Sequence, residues 1–209
     1  MEEERDFGFD EWAESYDRDV KNDKTIFLKY DDVLDYVVKI SKVNKDKLVL
    51  DIGTGTGNLA IRCVDLSAKV IGLDPSRKMI EKAKEKFKDK KNVEFYLIKD
   101  PFLKIPFDDN IFDIVLSTYA FHHLSHNKKE DGILEMFRVL KRGGILAIGD
   151  IMFKNEFEEK KFLNKYNFLD PDEYYERIDE LKKIFNKLNV KLKIKRFIPY
   201  TWVIWVIKP

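Results

Sequence analysis

Val49-Leu50-Asp51-Ile52-Gly53-Thr54-Gly55-Thr56-Gly57-Asn58-Leu59 carries an apolar run into an acid and then into a loop with glycine at alternate positions. The run reads as a strand, the glycines as a tight turn and Asn58-Leu59 as a helix start. Glycine serves where a backbone turns through positive φ or approaches a ligand too closely for a Cβ, so three alternating glycines make a floor of bare main chain. A ligand on that floor lies at the carboxyl end of a strand, where open α/β sheets place their sites.

Two ligand classes use such a floor, and Asp51 helps to separate them. A nicotinamide dinucleotide would bring its diphosphate against the acid, whereas S-adenosylmethionine brings a cationic α-amino group that the acid can pair with. The spacing is Gly-x-Gly-x-Gly and not the Gly-x-Gly-x-x-Gly of dinucleotide folds. About twenty residues later, Val70-Ile71-Gly72-Leu73-Asp74 repeats the apolar run and terminal acid. A carboxylate there suits the two hydroxyls of a ribose in either ligand.

Working outward, Phe9 to Asp19 and Ile26 to Ile40 show helical spacing, so two amphipathic helices are expected before the first strand. Strands are expected at Lys47 to Asp51, Lys69 to Asp74, Val93 to Ile98, Ile111 to Ser117 and Ile145 to Ile151, separated by helices. Pro75-Ser76 opens the helix after strand two. Strand three ends at another acid, Asp100, followed by Pro101-Phe102. Residues 153–188 read as two helices broken at Asp170-Pro171-Asp172. Val190, Leu192 and Ile194 then alternate with lysines, and Trp202 to Ile207 completes a hairpin. Strands alternating with helices imply a parallel sheet, and the hairpin reverses one strand.

The 209 residues, 44% hydrophobic, fit a single domain, 1–209, with one sizeable core. Thirty-nine basic residues balance 38 acidic ones, which gives no global field to attract nucleic acid or an anionic membrane. No run approaches the ~20 apolar residues of a membrane helix. The one cysteine, Cys63, has no disulfide partner and reads as a small core residue, so a cytoplasmic setting is expected.

The ordered set Asp51 to Gly57, Asp74-Pro75-Ser76 with Met79, Lys99-Asp100 with Phe102, Phe112 to Ser117, and Leu140-Lys141-Arg142-Gly143-Gly144 resembles the class I S-adenosylmethionine-dependent methyltransferases over nearly the whole chain. Phe9 to Asp17 resembles the capping helix of many small-molecule members. Ser117 to Leu124, Tyr174-Tyr175 and Trp202-Val203 resemble, more narrowly, a bacterial subgroup of the YrrT type, which names no substrate. The resemblance implies an α/β, Rossmann-like, doubly wound seven-stranded mixed sheet of order 3-2-1-4-5-7-6 with its last-numbered strand antiparallel. It also implies an N-terminal helical cap or lid, residues 1–42, and a helical substrate-side insertion, residues 153–188.

Carried onto this chain, it implies that Asp51, Gly53, Thr54, Gly55 and Gly57 cradle the methionine portion of S-adenosyl-L-methionine, and that Asp74 and Pro75 meet the ribose. Asp100 would accept from the adenine amino group, with Pro101, Phe102, Leu73 and Met79 beside the ring. Ser117 and Tyr119 would border the sulfonium, and Trp12 and Tyr16 would close over it, S-adenosyl-L-homocysteine being the product. A core role for Phe102 and Met79 stands beside the adenine role.

His122 and His123, with His126 nearby, are candidates for a base if the acceptor arrives protonated, a structural hydrogen-bonding role being the alternative. A metal site is not expected, because neighbouring histidines tend to point apart and no fitting carboxylate motif accompanies them. The expected reaction is methyl transfer to a small-molecule acceptor by a monomer or homodimer. A binding protein without turnover and an RNA or protein methyltransferase are the rivals. The seven aromatics Phe153, Phe157, Phe162, Tyr166, Phe168, Tyr174 and Tyr175 read either as core or as the lining of an apolar pocket.

Overall fold

The strands form because their apolar residues are needed on both faces of one sheet. In the computed structural model, which describes residues 8–209, β1 (Leu48–Ile52), β2 (Lys69–Asp74), β3 (Val93–Leu97), β4 (Phe112–Thr118), β5 (Leu140–Phe153), β6 (Lys193–Ile198) and β7 (Thr201–Ile207) lie in the order β3-β2-β1-β4-β5-β7-β6. A two-residue strand, Glu176–Arg177, pairs with the end of β5. β7 runs antiparallel to β5 and β6, and the β1, β2, β3, β4 and β5 pairings are all parallel. The expected order and reversed strand are thus present.

Alternate strand residues face alternate layers. Val49, Val70, Ile114, Leu116, Ala147 and Val203 pack under α3 (Tyr30–Ile40), α4 (Asn58–Asp65) and α5 (Arg77–Lys86). Leu50, Ile52, Leu73, Val115, Leu146, Ile148 and Ile204 pack under α6 (Lys129–Val139) and α8 (Ile178–Lys187). β1 sits between β2 and β4, so chain connections leave it in opposite directions and open a crevice at its carboxyl end.

Several boundaries differ from the sequence expectation, each for a local reason. The single helix expected over 9–19 is two short ones, α1 (Phe9–Trp12) and α2 (Tyr16–Asn22). Asp19 accepts from the Trp12 indole at 3.0 Å and the Ser15 hydroxyl at 2.5 Å, and these bonds hold the turn between them. α3 starts at Tyr30 and not at Ile26, because Asp23 takes the amides of Thr25 (2.6 Å) and Phe27 (3.2 Å) into a side-chain-capped turn. Residues 166–177, between α7 (Glu156–Lys165) and α8, contain no helix, so the helical stretch is shorter than expected. β5 begins at Leu140, five residues early, and carries Gly143 at φ 75° inside it. Residues 1–7 of the expected cap lie outside the described residues.

The β1–α4 turn depends on glycine for two separable reasons. Gly53 has φ 71°, and a Cβ there would fall 2.2 Å from the Ala120 Cβ. Gly143 has φ 75° but nothing within 4 Å of the corresponding point. Gly143→Ala is therefore expected to cost only the left-handed backbone penalty of about 1–2 kcal/mol. Gly53→Ala adds overpacking and should cost about 2–5 kcal/mol. Urea unfolding of the two variants measures the difference, and equal losses would refute the packing argument.

Candidate active site

Three acids stand at the carboxyl ends of the central strands, each satisfied differently. Asp74, at the end of β2, accepts from the Gly55 amide (2.8 Å) with one oxygen and the Ser76 amide (2.9 Å) with the other. It thereby ties the glycine loop to the start of α5, where Ser76 caps the helix through the Met79 amide. Asp51, at the end of β1 and 1% exposed, accepts from the Thr54 hydroxyl at 2.7 Å through Oδ2, while its Oδ1 has no partner. Burial raises the Asp51 carboxyl to about 7; the Thr54 hydroxyl bond opposes the rise and the neighbouring Asp74 charge adds to it. Burial likewise raises Asp74 to about 6.

Asp150, near the end of β5, is completely buried. Its Oδ2 accepts from the Phe121 amide (3.0 Å) and the His122 amide (3.3 Å), and its Oδ1 from the Ile151 amide (2.7 Å). His122 Nδ1 lies 2.6 Å from the same Oδ1. These bonds cap the 3-10 turn Phe121–His123 and fix the imidazole together. His123 stands beside it, ring centroids 4.0 Å apart, with Nδ1 3.1 Å from Glu173 Oε2. Burial opposes the charged form of His122, yet the Asp150 carboxylate outweighs it and the pKa is raised. Burial, with the His122 charge, lowers His123 to about 4. Beneath this turn a buried Lys129 donates to Glu176 at 2.7 Å and to the Phe121 carbonyl at 3.0 Å. His126 points elsewhere, against the Tyr174 ring.

The N-terminal segment lies directly on the loop. The Tyr16 ring reaches within 4.0 Å of the Gly55 Cβ position. Asp17 accepts from Thr56 (2.5 Å) and Asn58 (3.0 Å) and pairs with Lys86 at 2.7 Å. Asp10 accepts from the Ser76 hydroxyl (2.5 Å) and the Lys78 amide (3.1 Å). Trp12, Tyr16, Phe27, Tyr30 and Tyr119 form one aromatic cluster beside the loop, with Phe27 and Tyr30 rings 5.3 and 5.2 Å from Tyr119. Tyr119 has φ 50°, a conformation rare for an aromatic residue, and its buried hydroxyl has no partner. Ser117 Oγ is also buried without one.

The residues expected to act together are brought together in part. Thr54 is bonded to Asp51 and the Gly55 amide to Asp74, so the 53–57 loop lies against both acids, with the Tyr16 ring on Gly55 and Trp12 packed on Tyr16. Phe102 joins its wall, 4.0 Å from the Gly53 Cβ position, but is also core, packed edge-on to Phe121 at 5.2 Å. Met79 and Pro101 are buried, Pro75 is exposed, and Asp100 is half-buried in the turn after β3. Of the seven aromatics, Phe153 and Tyr175 are core and Phe162 packs against Phe153, Tyr166, Phe168 and Tyr200. Phe157, 70% exposed, lines nothing. The sequence reading missed Asp150, Glu173, Asp10 and Asp17. Asp150 carries the signal already used for Asp51 and Asp74, an acid at the end of an apolar strand, whereas Glu173 lies 50 residues from its histidine with no local pattern to mark it.

His122, His123 and Glu173 are also the described residues that could hold a metal ion, with one ligand atom each within 4.8 Å of the others. The expectation that the neighbouring histidines point apart with no carboxylate beside them is not met: their ring centroids are 4.0 Å apart and Glu173 reaches His123. Each imidazole is hydrogen-bonded to a carboxylate, His122 to Asp150 and His123 to Glu173. For S-adenosylmethionine the fit is good: a bare backbone floor, an orphaned buried carboxylate oxygen for its ammonium, and a second carboxylate with two of its roughly four acceptor positions still open.

A methyltransferase domain model matches residues 49–144. The chain is 32% identical to an uncharacterized methyltransferase of Alkaliphilus oremlandii, covering 96% of this chain and 95% of that one. It is 34% identical to an uncharacterized methyltransferase of Bacillus cytotoxicus, covering 93% of each. Among solved structures, it is similar to a SAM-dependent methyltransferase from Aquifex aeolicus, with a TM-score of 0.65, 26% identity, and coverage of 83% of this chain and 88% of that one. With the sheet order, the glycine loop and the strand-end acids already in place, these likenesses make the chain a member of the class I S-adenosylmethionine-dependent methyltransferases.

Proposed function

We propose that this chain moves the methyl group of S-adenosylmethionine to a small-molecule acceptor. The orphaned Oδ1 of Asp51 carries the reading: a buried carboxylate oxygen beside bare backbone calls for a cation, and the cofactor's ammonium supplies one. S-adenosylmethionine contributes a methyl group on a sulfonium, an electrophile that needs alignment and dryness more than activation. The chain's residues hold and cover it. Asp51 and the 53–57 loop take the amino acid end, Asp74 the ribose, and Asp100 with Phe102 and Met79 the adenine. Ser117 and Tyr119, directly after the β4 core, border the path to the acceptor. Calorimetry with S-adenosylmethionine, its demethylated product and NAD tests the choice of ligand, and binding of NAD alone would overturn it.

Asp51 sets a pH dependence whose sign is fixed. Burial raises its carboxyl to about 7, and it must be ionised to pair with an ammonium. Cofactor affinity is therefore expected to rise from pH 5 to about 7.5 and then level off, with proton release on binding near pH 6. Asp51→Asn should flatten that rise and weaken binding at pH 8 by about 1–3 kcal/mol. The enthalpy measured in two buffers of different ionisation heat reads the proton directly.

The N-terminal segment acts as a lid. It crosses the crevice that the cofactor enters, and it is held there by side chains such as Asp10 and Asp17 and not by a strand pairing. A covering element must open for the cofactor and close to exclude water. Hydrogen exchange over residues 8–25 should slow on cofactor binding while β1 stays protected throughout. Deletion of residues 1–22 should leave a folded domain with much weaker cofactor affinity, and global unfolding on deletion would make the segment structural.

A further inference from the structure

His122 and His123 follow one another in a 3-10 turn, where consecutive side chains are set about 120° apart. Their rings are nevertheless gathered on one side, centroids 4.0 Å apart, and Glu173 of the segment between α7 and α8 meets them there. We infer that His122, His123 and Glu173 bind a divalent transition-metal cation of the zinc type, with Asp150 as the carboxylate that orients His122. One ligand atom from each of the three lies within 4.8 Å of the others. Two neutral imidazoles and one carboxylate are a donor set suited to zinc and poorly suited to magnesium, which takes oxygen ligands. The site is independent of the methyl-transfer reading, because its ligand is the cation and not the cofactor.

The local bonds prepare the ligand atoms. Asp150, completely buried, lies 2.6 Å from His122 Nδ1. An imidazole whose Nδ1–H is spent on a carboxylate offers Nε2 to a metal, and the carboxylate makes that nitrogen a better donor. His123 Nδ1 is 3.1 Å from Glu173 Oε2. Metal–nitrogen and metal–oxygen bonds of about 2.0–2.2 Å set a tetrahedral edge of roughly 3.3 Å. A cation therefore fits between these two atoms with little movement, in place of the proton they share, and His123 then carries its proton on Nε2. The third ligand closes by up to about 1.5 Å, the difference between that edge and the present spread. Glu173 is aimed at the histidines by its neighbour, since the Tyr174 amide donates to the His122 carbonyl at 3.1 Å. The surroundings have the sign a cation needs: Asp150, Glu173 and Glu176 all face His122, and Lys129 beneath the turn is bonded to Glu176. Phe9 packs on the His123 ring at 4.9 Å and the Tyr175 ring lies 5.9 Å from His122, so apolar walls limit solvent access. The His123 and Glu173 side chains keep 20% and 10% of their surface exposed, which gives a cation its way in. Three protein ligands leave a fourth position for water or an outside donor. The bound cation clasps residues 166–177, which contain no helix, to the turn after β4.

Zinc chloride titrated into the full, untagged chain after chelator treatment and desalting tests the site. One zinc per chain with a micromolar or lower dissociation constant is expected, and excess magnesium chloride should not displace it. His123→Gln and Glu173→Gln should each weaken binding by about tenfold or more, and Asp150→Asn by about tenfold to a hundredfold. The His126 ring packs on Tyr174 outside the cluster, so His126→Gln should bind zinc as the unaltered chain does. Zinc should also slow amide exchange over residues 166–177. Where a variant fails to fold, spectra of the wild-type chain labelled with 15N-histidine decide: zinc should shift the ring nitrogens of His122 and His123 and leave those of His126. Binding only at millimolar zinc, magnesium competing on equal terms, loss of binding in His126→Gln but not in Glu173→Gln, or unshifted His122 and His123 nitrogens would overturn the assignment. Bound zinc with unchanged exchange over residues 166–177 would overturn the clasp. Affinity for S-adenosylmethionine is measured separately, so a failure here leaves the methyl-transfer reading standing.

Discussion

The Asp74 carboxylate joins three elements that would otherwise meet only at loose turns. One oxygen holds the Gly55 amide and the other the Ser76 amide, so the end of β2, the glycine loop and the start of α5 move as one. The Leu73 carbonyl adds bonds to the Gly53 and Thr54 amides at 2.8 and 3.0 Å. A loop of alternating glycines has much conformational entropy to lose on folding, and these bonds fix it before any ligand arrives. Preorganisation of this kind leaves the loop with little ordering still to be done when anything binds over it.

How much of this was legible in the sequence varied with the range of the interaction. Strand order, the reversed strand and the crevice follow from apolar runs, glycines and acids that are close in the chain, and these are where expectation and structure agree. The N-terminal helices were drawn too long because spacing alone cannot show that Asp19 and Asp23 will spend their carboxylates on nearby amides, a hydroxyl and an indole. The break expected at residues 170–172 is wider than the sequence shows, and its carboxyl end is taken by a tertiary pairing, Glu176–Arg177 against β5, which no local pattern announces. The histidines were marked by their residue type. Their partners are harder to read: Asp150 carries the strand-end signal but meets its histidine across 28 residues of chain, and Glu173 meets its own across 50 with no local pattern.

Three acids in one row could be a liability, since each buried carboxylate loses hydration. Asp74 recovers it from two amides, and Asp150 from three amides and an imidazole. Asp51 recovers it on one oxygen only. The row is therefore graded. The two outer acids each have both oxygens bonded, and the middle one, over the glycine loop, keeps an unmet demand for positive charge.

The N-terminal segment docks with the opposite sign and so does not compete for that demand. Asp10 and Asp17 dock onto amides, hydroxyls and Lys86 at the rims of α4 and α5. Glu14 reaches Lys82 at 2.8 Å in the same way. A segment carrying lysines at these positions would be drawn to Asp51 and Asp74 as a substitute cation. One carrying acids docks on the rim and leaves the buried carboxylates unneutralised. What the segment packs against the glycine loop is aromatic, Trp12 and Tyr16, which cover backbone without offering charge. Rim and floor thus select opposite charges, and the segment's docking does not spend the positive charge that the floor demands.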